Sequence, residues 1–103
     1  MDMKPASVRA MRRHAEEAAA FLRVLAHEAR LAVLCELISG ERTAGELVTA
    51  SGLSQSALSQ HLAKLRDEGL VATRREGQTI RYRLSDPRAL SIVSALHGVF
   101  CRR

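Results

Sequence analysis

Apolar side chains recur at helical spacing in the first third of the chain. Between Ser7 and Leu25 they form one stripe, made by Val8, Met11, Ala15, Ala18, Phe21, Leu22 and Leu25. Charged residues lie mostly off this stripe, which predicts an amphipathic first helix. A second helix is predicted from Glu28 to Ile38, because one face carries Leu31, Leu34, Cys35 and Ile38 and the pair Ser39-Gly40 supplies a stop.

The middle of the chain predicts two helices joined by a glycine turn. The segment Thr43-Ala44-Gly45-Glu46 is a capping box, which starts a short helix from Ala44 to Ser51. Gly52 can adopt the positive φ of a tight turn, and Ser54 can cap the next helix, from Gln55 to Glu68, before Gly69. This arrangement is typical of a helix-turn-helix.

The last third predicts a β-hairpin followed by a helix. Residues 71–75 and 79–84 alternate as strands around the turn Glu76-Gly77-Gln78. Asp86 and Pro87 then begin a last helix, whose apolar positions are Leu90, Val93, Leu96, Val99 and Phe100. The predicted fold is mainly α with a small β-hairpin, a winged helix-turn-helix in the order α-α-α-α-β-β-α. Residues 1–103 are expected to form one domain.

Charge and composition narrow the class of partner. The 103 residues carry a formal charge of +5, which favours a polyanionic partner such as nucleic acid or an anionic membrane surface. No run of about 18 uncharged apolar residues is present, and the N-terminus lacks the apolar run of a signal peptide. The expected location is therefore the cytoplasm, with no membrane partner.

The helix from Gln55 to Glu68 has one apolar and one polar side. Leu58, Leu62 and Leu65 share the predicted buried face, so that small hydroxyls, a glutamine and a lysine point outward. Such side chains suit the major groove of DNA, and the arginines of the hairpin can reach the flanking backbone or minor groove. The candidate DNA-binding residues are Ser54, Gln55, Ser56, Ser59, Gln60, His61, Lys64, Arg74, Arg75, Arg81 and Arg83.

Two of these assignments have competing interpretations. The helical phase places His61 beside the leucine face, which favours packing over base contact. The four arginines are also compatible with a solvated surface hairpin. A generic helical interaction module would explain the apolar faces but leaves the arginine-rich hairpin without a purpose.

Three stretches carry a resemblance to a known family. They are Leu25-Ala26-His27-Glu28-Ala29-Arg30-Leu31, the run from Ser54 to Arg66, and Glu68-Gly69-Leu70-Val71. Together they resemble the ArsR family of dimeric repressors, and the match covers nearly the whole chain. The resemblance implies binding to double-stranded operator DNA as a homodimer, with the first and last helices at the dimer interface.

Metal sensing is common among proteins resembling this family, yet its usual ligand sets are absent. Where one metal-sensing group has a cysteine pair, the helix beginning at Ala44 carries Glu46, Leu47, Val48 and Thr49. The metal site of the last helix needs a histidine two residues after its aspartate. In this chain the residue two positions after Asp86 is Arg88, so that histidine is missing. We therefore expect no resident metal or cofactor.

The two cysteines, Cys35 and Cys101, lie far apart in the sequence. Their positions are similar to the thiol-based, sulfide- and redox-sensing branch of the family. That resemblance implies a disulfide or polysulfide bridge that switches operator binding, with a reactive sulfur species or an oxidant as inducer. From the residues alone, the apolar face that Cys35 shares favours a buried small hydrophobe over a redox role. The cations Arg102 and Arg103 favour a Cys101 thiolate, whereas a helix C-terminus acts in the opposite direction.

The two cysteines are also compatible with other roles. Cys35, His97 and Cys101 can be arranged as a soft-ligand metal site, because residues four apart on a helix converge on one ion. Both thiols can also be inert in a repressor controlled by its expression level. An enzyme is not expected, since the chain has no Cys-x-x-Cys motif and His97 with Cys101 makes only a weak dyad.

Overall fold

The computed structural model describes residues 5–101, with side chains from residue 7 onward. The elements follow the order α1 (Pro5–Leu25), α2 (Glu28–Ile38), β1 (Arg42–Thr43), α3 (Ala44–Ser51), α4 (Gln55–Asp67), β2 (Val71–Glu76), β3 (Thr79–Leu84) and α5 (Pro87–Phe100). The mainly helical winged helix-turn-helix fold is confirmed. Among the described helices, none combines the length and the apolar character needed to cross a membrane.

The helices begin where the capping residues lie. The backbone N–H of Glu46 donates to Thr43 Oγ1 at 3.1 Å, and the N–H of Thr43 donates to Glu46 Oε1 at 2.9 Å. Ser54 accepts from the N–H of Ala57 at 3.1 Å at the start of α4. Each of these bonds satisfies an amide that a helix N-terminus leaves unpaired, so local sequence fixes both helix-turn-helix starts.

The sheet differs from the prediction in two ways. Arg42–Thr43 forms a third strand, giving the antiparallel order β1-β3-β2, in which Arg42 pairs with Tyr82. Two residues are too few to show the period of a strand, and so the alternation pattern could not reveal β1. Glu76 belongs to β2, paired with Thr79, rather than to the turn. The turn is shorter than predicted and begins at Gly77, whose φ of +64° suits a two-residue hairpin.

One leucine-rich core lies between α2, α3, α4, α5 and the sheet. The helix-turn-helix is anchored in it by Leu47 of α3 and by Leu58, Leu62 and Leu65 of α4, which are all buried. The remaining core residues are Leu25, Val33, Leu34, Leu37, Leu70, Val71, Ala89 and Val93. The predicted inner face of α4 is confirmed. By contrast, α1 contributes only Leu25 to the buried core, with Phe21 and Val24 partly buried against it.

Candidate nucleic-acid interface and thiol groove

The outer side of α4 is polar and exposed. With Leu58, Leu62 and Leu65 turned inward, the predicted outward residues of this helix all lie on the surface, namely Gln55, Ser56, Ser59, Gln60, Ala63 and Lys64. Lys64 Nζ is held 3.1 Å from Glu68 Oε1, in an exposed pair one helical turn apart. Such an exposed pair contributes little to stability, so Lys64 can leave Glu68 and bind a phosphate at a small cost in free energy.

His61 lies on the flank of α4 and contacts other protein groups. Its Nδ1 accepts a hydrogen bond of 3.3 Å from Arg30 Nε, and its ring meets that of His27 edge to face, with centroids 4.5 Å apart. Partial burial, then the nearby His27 and Arg30, lower the pKa of His61. These contacts are those expected from a packing role, which the helical phase favoured.

The four wing arginines fall into two pairs with different surroundings. Arg74 donates to Glu41 at 2.7 Å and to Glu76 at 3.3 Å, and Arg81 donates to Glu76 at 3.2 Å. These hydrogen bonds lower the pKa of Glu41 and of Glu76. Within the described residues, neither Arg75 nor Arg83 forms an ion pair, and both are exposed. Hence Arg75 and Arg83 are the wing cations most available to a phosphate.

Two features of this surface are not indicated by the sequence pattern. Glu41 binds Arg74 from 33 positions away, and no local pattern indicates such a distant pair. Arg66 and Tyr82 line a small cleft between α4 and the sheet together with Ser59. Strand pairing faces Arg75, Ile80 and Tyr82 to the same side of the hairpin, because successive residues of a strand alternate. Arg75 therefore lies on the sheet face that looks toward α4.

The two cysteines line one groove between α2 and α5, which we call the thiol groove. It encloses about 250 Å³, and its apolar walls come from Leu31, Val93, Leu96 and Phe100. Cys35 is half-buried in α2, whereas Cys101 is exposed at the end of α5. Burial first, then the charges of Cys101 and Glu36, raise the pKa of Cys35. Cys35 and Cys101, which the family resemblance pairs, thus line a common cavity, while Arg102 and Arg103 lie outside the described residues.

His97 stands beside the same cavity and borders a second one. It lines the thiol groove and also a neighbouring groove of about 380 Å³ that is lined by Cys35, Ser39 and Ser94. Within residues 5–101, no group of three or more His, Cys, Asp or Glu side chains is arranged to hold a metal ion. The soft-ligand site formed by Cys35, His97 and Cys101 therefore has no support from the described geometry.

A third groove runs along the outer side of α1 and α5. It encloses about 340 Å³ between apolar side chains that include Met11, Phe21, Leu22 and Ile92. Met11 and Leu22 are about half exposed, at 55% and 50%. Arg88 closes one end, with its guanidinium 4.7 Å from the centroid of the Phe21 ring and 3.3 Å from Glu17. Both predicted dimerisation helices therefore expose hydrocarbon on one side.

Comparison with known proteins agrees with this geometry. The profile of the bacterial regulatory protein family arsR matches residues 27–73, which span α2 to the first half of β2. The transcriptional activator HlyU of Vibrio cholerae is 43% identical over 98 residues, covering 95% of this chain and 91% of that protein. The biofilm growth-associated repressor of Agrobacterium fabrum is 42% identical over 101 residues, which cover 98% of this chain and 86% of that protein.

Solved structures show the same likeness. The transcriptional repressor BigR of Xylella fastidiosa superimposes with a TM-score of 0.85 at 41% identity, covering 92% of this chain and 97% of that one. Reduced HlyU from Vibrio cholerae superimposes with a TM-score of 0.84 at 44% identity. The match covers 91% of this chain and 99% of that one. The chain therefore belongs to the ArsR family of bacterial regulatory proteins and is a DNA-binding transcriptional regulator rather than an enzyme.

Proposed function

We propose that the protein is a homodimeric repressor whose operator binding ends when Cys35 and Cys101 become covalently linked. The observation that carries this proposal is the thiol groove, which is lined both by Cys35 of α2 and by Cys101 at the C-cap of α5. Because α2 packs against α4 as well as against α5, a bond between the thiols acts on the helix that carries the DNA-facing side chains.

Dimerisation is supported by the exposed hydrocarbon of α1 and α5. An isolated chain leaves Met11 and Leu22 half exposed beside an apolar groove, and a second copy would remove that surface from water. Within the described part of α1, only the C-terminal end, at Phe21, Val24 and Leu25, packs against the core, which agrees with a helix that completes its packing on a partner. A two-fold dimer also presents two copies of α4 to half-sites about 34 to 36 Å apart, or a multiple of that spacing.

In the DNA complex, α4 enters the major groove and the wing flanks it. Gln60 can pair bidentately with adenine, and the hydroxyls of Ser56 and Ser59 permit close approach. Arg75 and Arg83 neutralise backbone phosphates, which adds salt-dependent affinity without much sequence information. Arg74 and Arg81 contribute less because Glu41 and Glu76 already engage them.

The switch is a thiol-disulfide exchange. One thiolate attacks a sulfur of a polysulfide, the S–S bond breaks, and the leaving polysulfide fragment takes the electron pair. The second thiolate then attacks the sulfur bound to the first cysteine and expels the remaining fragment as an anion, which leaves the two cysteines oxidised and linked. A direct disulfide requires Cα atoms within about 7 Å, whereas retained sulfur atoms bridge a wider gap.

The test compares operator affinity before and after treatment with polysulfide. An operator duplex is selected from a random pool with the reduced protein, and its affinity is measured by fluorescence anisotropy. We expect treated protein to lose affinity and to recover it with dithiothreitol, while intact mass reports an internal bridge. The variants Cys35→Ser and Cys101→Ser should bind when reduced and stay bound after treatment.

Three other results would overturn the proposal. Equal affinity of reduced and treated protein would indicate inert thiols. Loss of affinity with zinc alone, measured after equilibrium dialysis, would indicate a metal-responsive regulator. A chain that sediments as a monomer while binding operator would remove the dimer from the proposal.

A further inference from the structure

The walls of the thiol groove are almost entirely hydrocarbon. Apart from the sulfur atoms and the ring of His97, the lining described above consists of leucine, valine and phenylalanine side chains. An apolar cavity of about 150 Å³ is large enough to take up benzene. The groove, at about 250 Å³, therefore has room for a small molecule with several carbon atoms beside the sulfur that reacts.

The electrostatics of the groove oppose an anion near Cys35. None of the described residues that line the cavity is a lysine or an arginine, so that an anion beside these residues loses hydration and gains no cationic partner from them. Burial and then Cys101 raise the pKa of Cys35 most, and the carboxylate of Glu36 makes the smallest contribution; its negative charge has the same sign as an approaching anion. Cys101 differs in this respect, because Arg102 and Arg103 follow it in the sequence.

We infer that the thiol groove selects neutral sulfur electrophiles with a small apolar body, such as dialkyl polysulfides, over anionic disulfides and polysulfides. Leu31, Leu96 and Phe100 are the residues that determine this specificity, since they supply the apolar contact beside Cys35. The regulatory meaning of the selection rests on the proposed function, but the selection itself is a property of the cavity.

The reaction is balanced without a further oxidant. The Cys35 thiolate attacks one sulfur of R–S–S–S–R, a Cys–S–S–R bond forms, and R–S–S⁻ leaves with the electron pair of the broken S–S bond. The Cys101 thiolate then attacks the Cys35 sulfur, forms the Cys35–Cys101 disulfide, and releases R–S⁻. The alkyl group that the groove holds in the first step departs in the second.

Methanethiosulfonates of different charge and length test the selection in the Cys101→Ala variant, in which Cys35 is the single thiol. The thiolate attacks the sulfenyl sulfur, a Cys35–S–S–R bond forms, and methanesulfinate leaves. Rates are divided by those of the same reagents with N-acetylcysteine, which removes differences in intrinsic reactivity. We expect the neutral methyl reagent to exceed the anionic sulfonatoethyl reagent by about tenfold or more. The butyl reagent should exceed the methyl one by about two- to fourfold for each methylene that is seated.

The variant Phe100→Ala tests whether the Phe100 side of the groove supplies the preference for the butyl reagent. Phe100 is 79% exposed, and the matched control Val99→Ala changes a 68% exposed neighbour that does not line the groove, so neither substitution removes core packing. Phe100→Ala should lose most of the butyl advantage, and Val99→Ala should keep it, with the oligomeric state of both variants compared by light scattering. Equal normalised rates for neutral and anionic reagents would overturn the inference, as would equal rates in the two variants.

These rates involve no DNA, which separates the two proposals. Selective reaction of Cys35 with unchanged operator affinity would contradict the switch and leave the groove selection intact. Release of operator by neutral and anionic polysulfides at the same normalised rate would support the switch and contradict the selection.

Discussion

Arg30 of α2 donates a hydrogen bond from Nε to Nδ1 of His61 in α4, at a distance of 3.3 Å. The same guanidinium donates from Nη1 to the carbonyl of Val24 at 3.1 Å, which ties the end of α1 to α2 and α4. An imidazole nitrogen accepts a hydrogen bond only while it is unprotonated. The contact therefore requires the neutral form of His61.

Acidification is expected to weaken this contact. Burial, His27 and Arg30 lower the pKa of His61 below its ordinary 6.5, so the unfolded chain binds more protons than the folded chain near that pH. Stability is thus fully present above about pH 6.5 and is lost as the pH falls toward the lowered pKa. Urea unfolding between about pH 7 and about pH 5 measures the slope.

His61→Gln isolates the contribution of this residue. Glutamine Oε1 can accept the bond from Arg30 but does not titrate, so the variant should show a flatter dependence of unfolding free energy on pH. His14→Gln is the control, because His14 is exposed on α1 with a side chain that is 69% accessible. An equal flattening in both variants would remove His61 from the explanation.

The wing arginines are predicted to differ in their effect on DNA affinity. Arg75→Ala and Arg83→Ala should each weaken binding to any duplex and reduce the salt slope by about 1. Arg74→Ala should have a smaller effect, because Glu41 and Glu76 hold its guanidinium at 2.7 and 3.3 Å. Anisotropy titrations over a range of salt concentrations measure both quantities. A larger loss for Arg74→Ala than for Arg75→Ala would contradict this ranking.

Gln60 is predicted to read sequence rather than charge. Gln60→Ala should cost about 1 to 3 kcal/mol on the selected operator and little on a random duplex, because a bidentate contact to one base is lost. Lys64→Ala provides the comparison and should weaken both duplexes alike, as expected for a phosphate contact. Equal losses on both duplexes for Gln60→Ala would place Gln60 outside base recognition.

Local signals in the sequence were sufficient for most of the fold. Thr43 and Glu46 mark the start of α3, because their reciprocal hydrogen bonds join residues only three positions apart. The spacing of Leu58, Leu62 and Leu65 alone indicates the buried face of α4. Such features depend on periodicity and caps, which a single sequence displays.

Features that depend on distant partners could not be predicted in this way. The ion pair between Glu41 and Arg74 joins residues 33 positions apart, and it divides the wing arginines into engaged and available groups. The common cavity of Cys35 and Cys101 likewise arises only when α2 packs against α5. For the cysteines, the family resemblance supplied the pairing that residue chemistry alone left open.

The outer side of α1 is predicted to hold the dimer together. Leu22→Glu places a charge beside the apolar groove of α1 and α5, where a partner would bury it, and should shift the chain to monomer. Leu22 is 50% exposed in the single chain, so the substitution should leave its fold intact, as circular dichroism will report. Ile80→Glu, at a 42% exposed wing residue, is the control and should remain dimeric. Sedimentation velocity distinguishes the two, and a dimeric Leu22→Glu variant would move the interface elsewhere.

The ionisation of Cys35 is predicted to depend on Cys101 in a defined direction. Burial contributes most to the raised pKa of Cys35, and the Cys101 charge contributes next. Cys101→Ser removes only the second contribution, so the pKa of Cys35 should fall but stay above its ordinary value of 9.0. The pH dependence of iodoacetamide alkylation, read by mass spectrometry of the Cys35 peptide, follows the thiolate fraction. An unchanged pKa would mean that the two thiols do not interact across the groove, and a value below 9.0 would mean that burial is not the main cause. Either result would weaken the physical basis for coupling these cysteines in one switch.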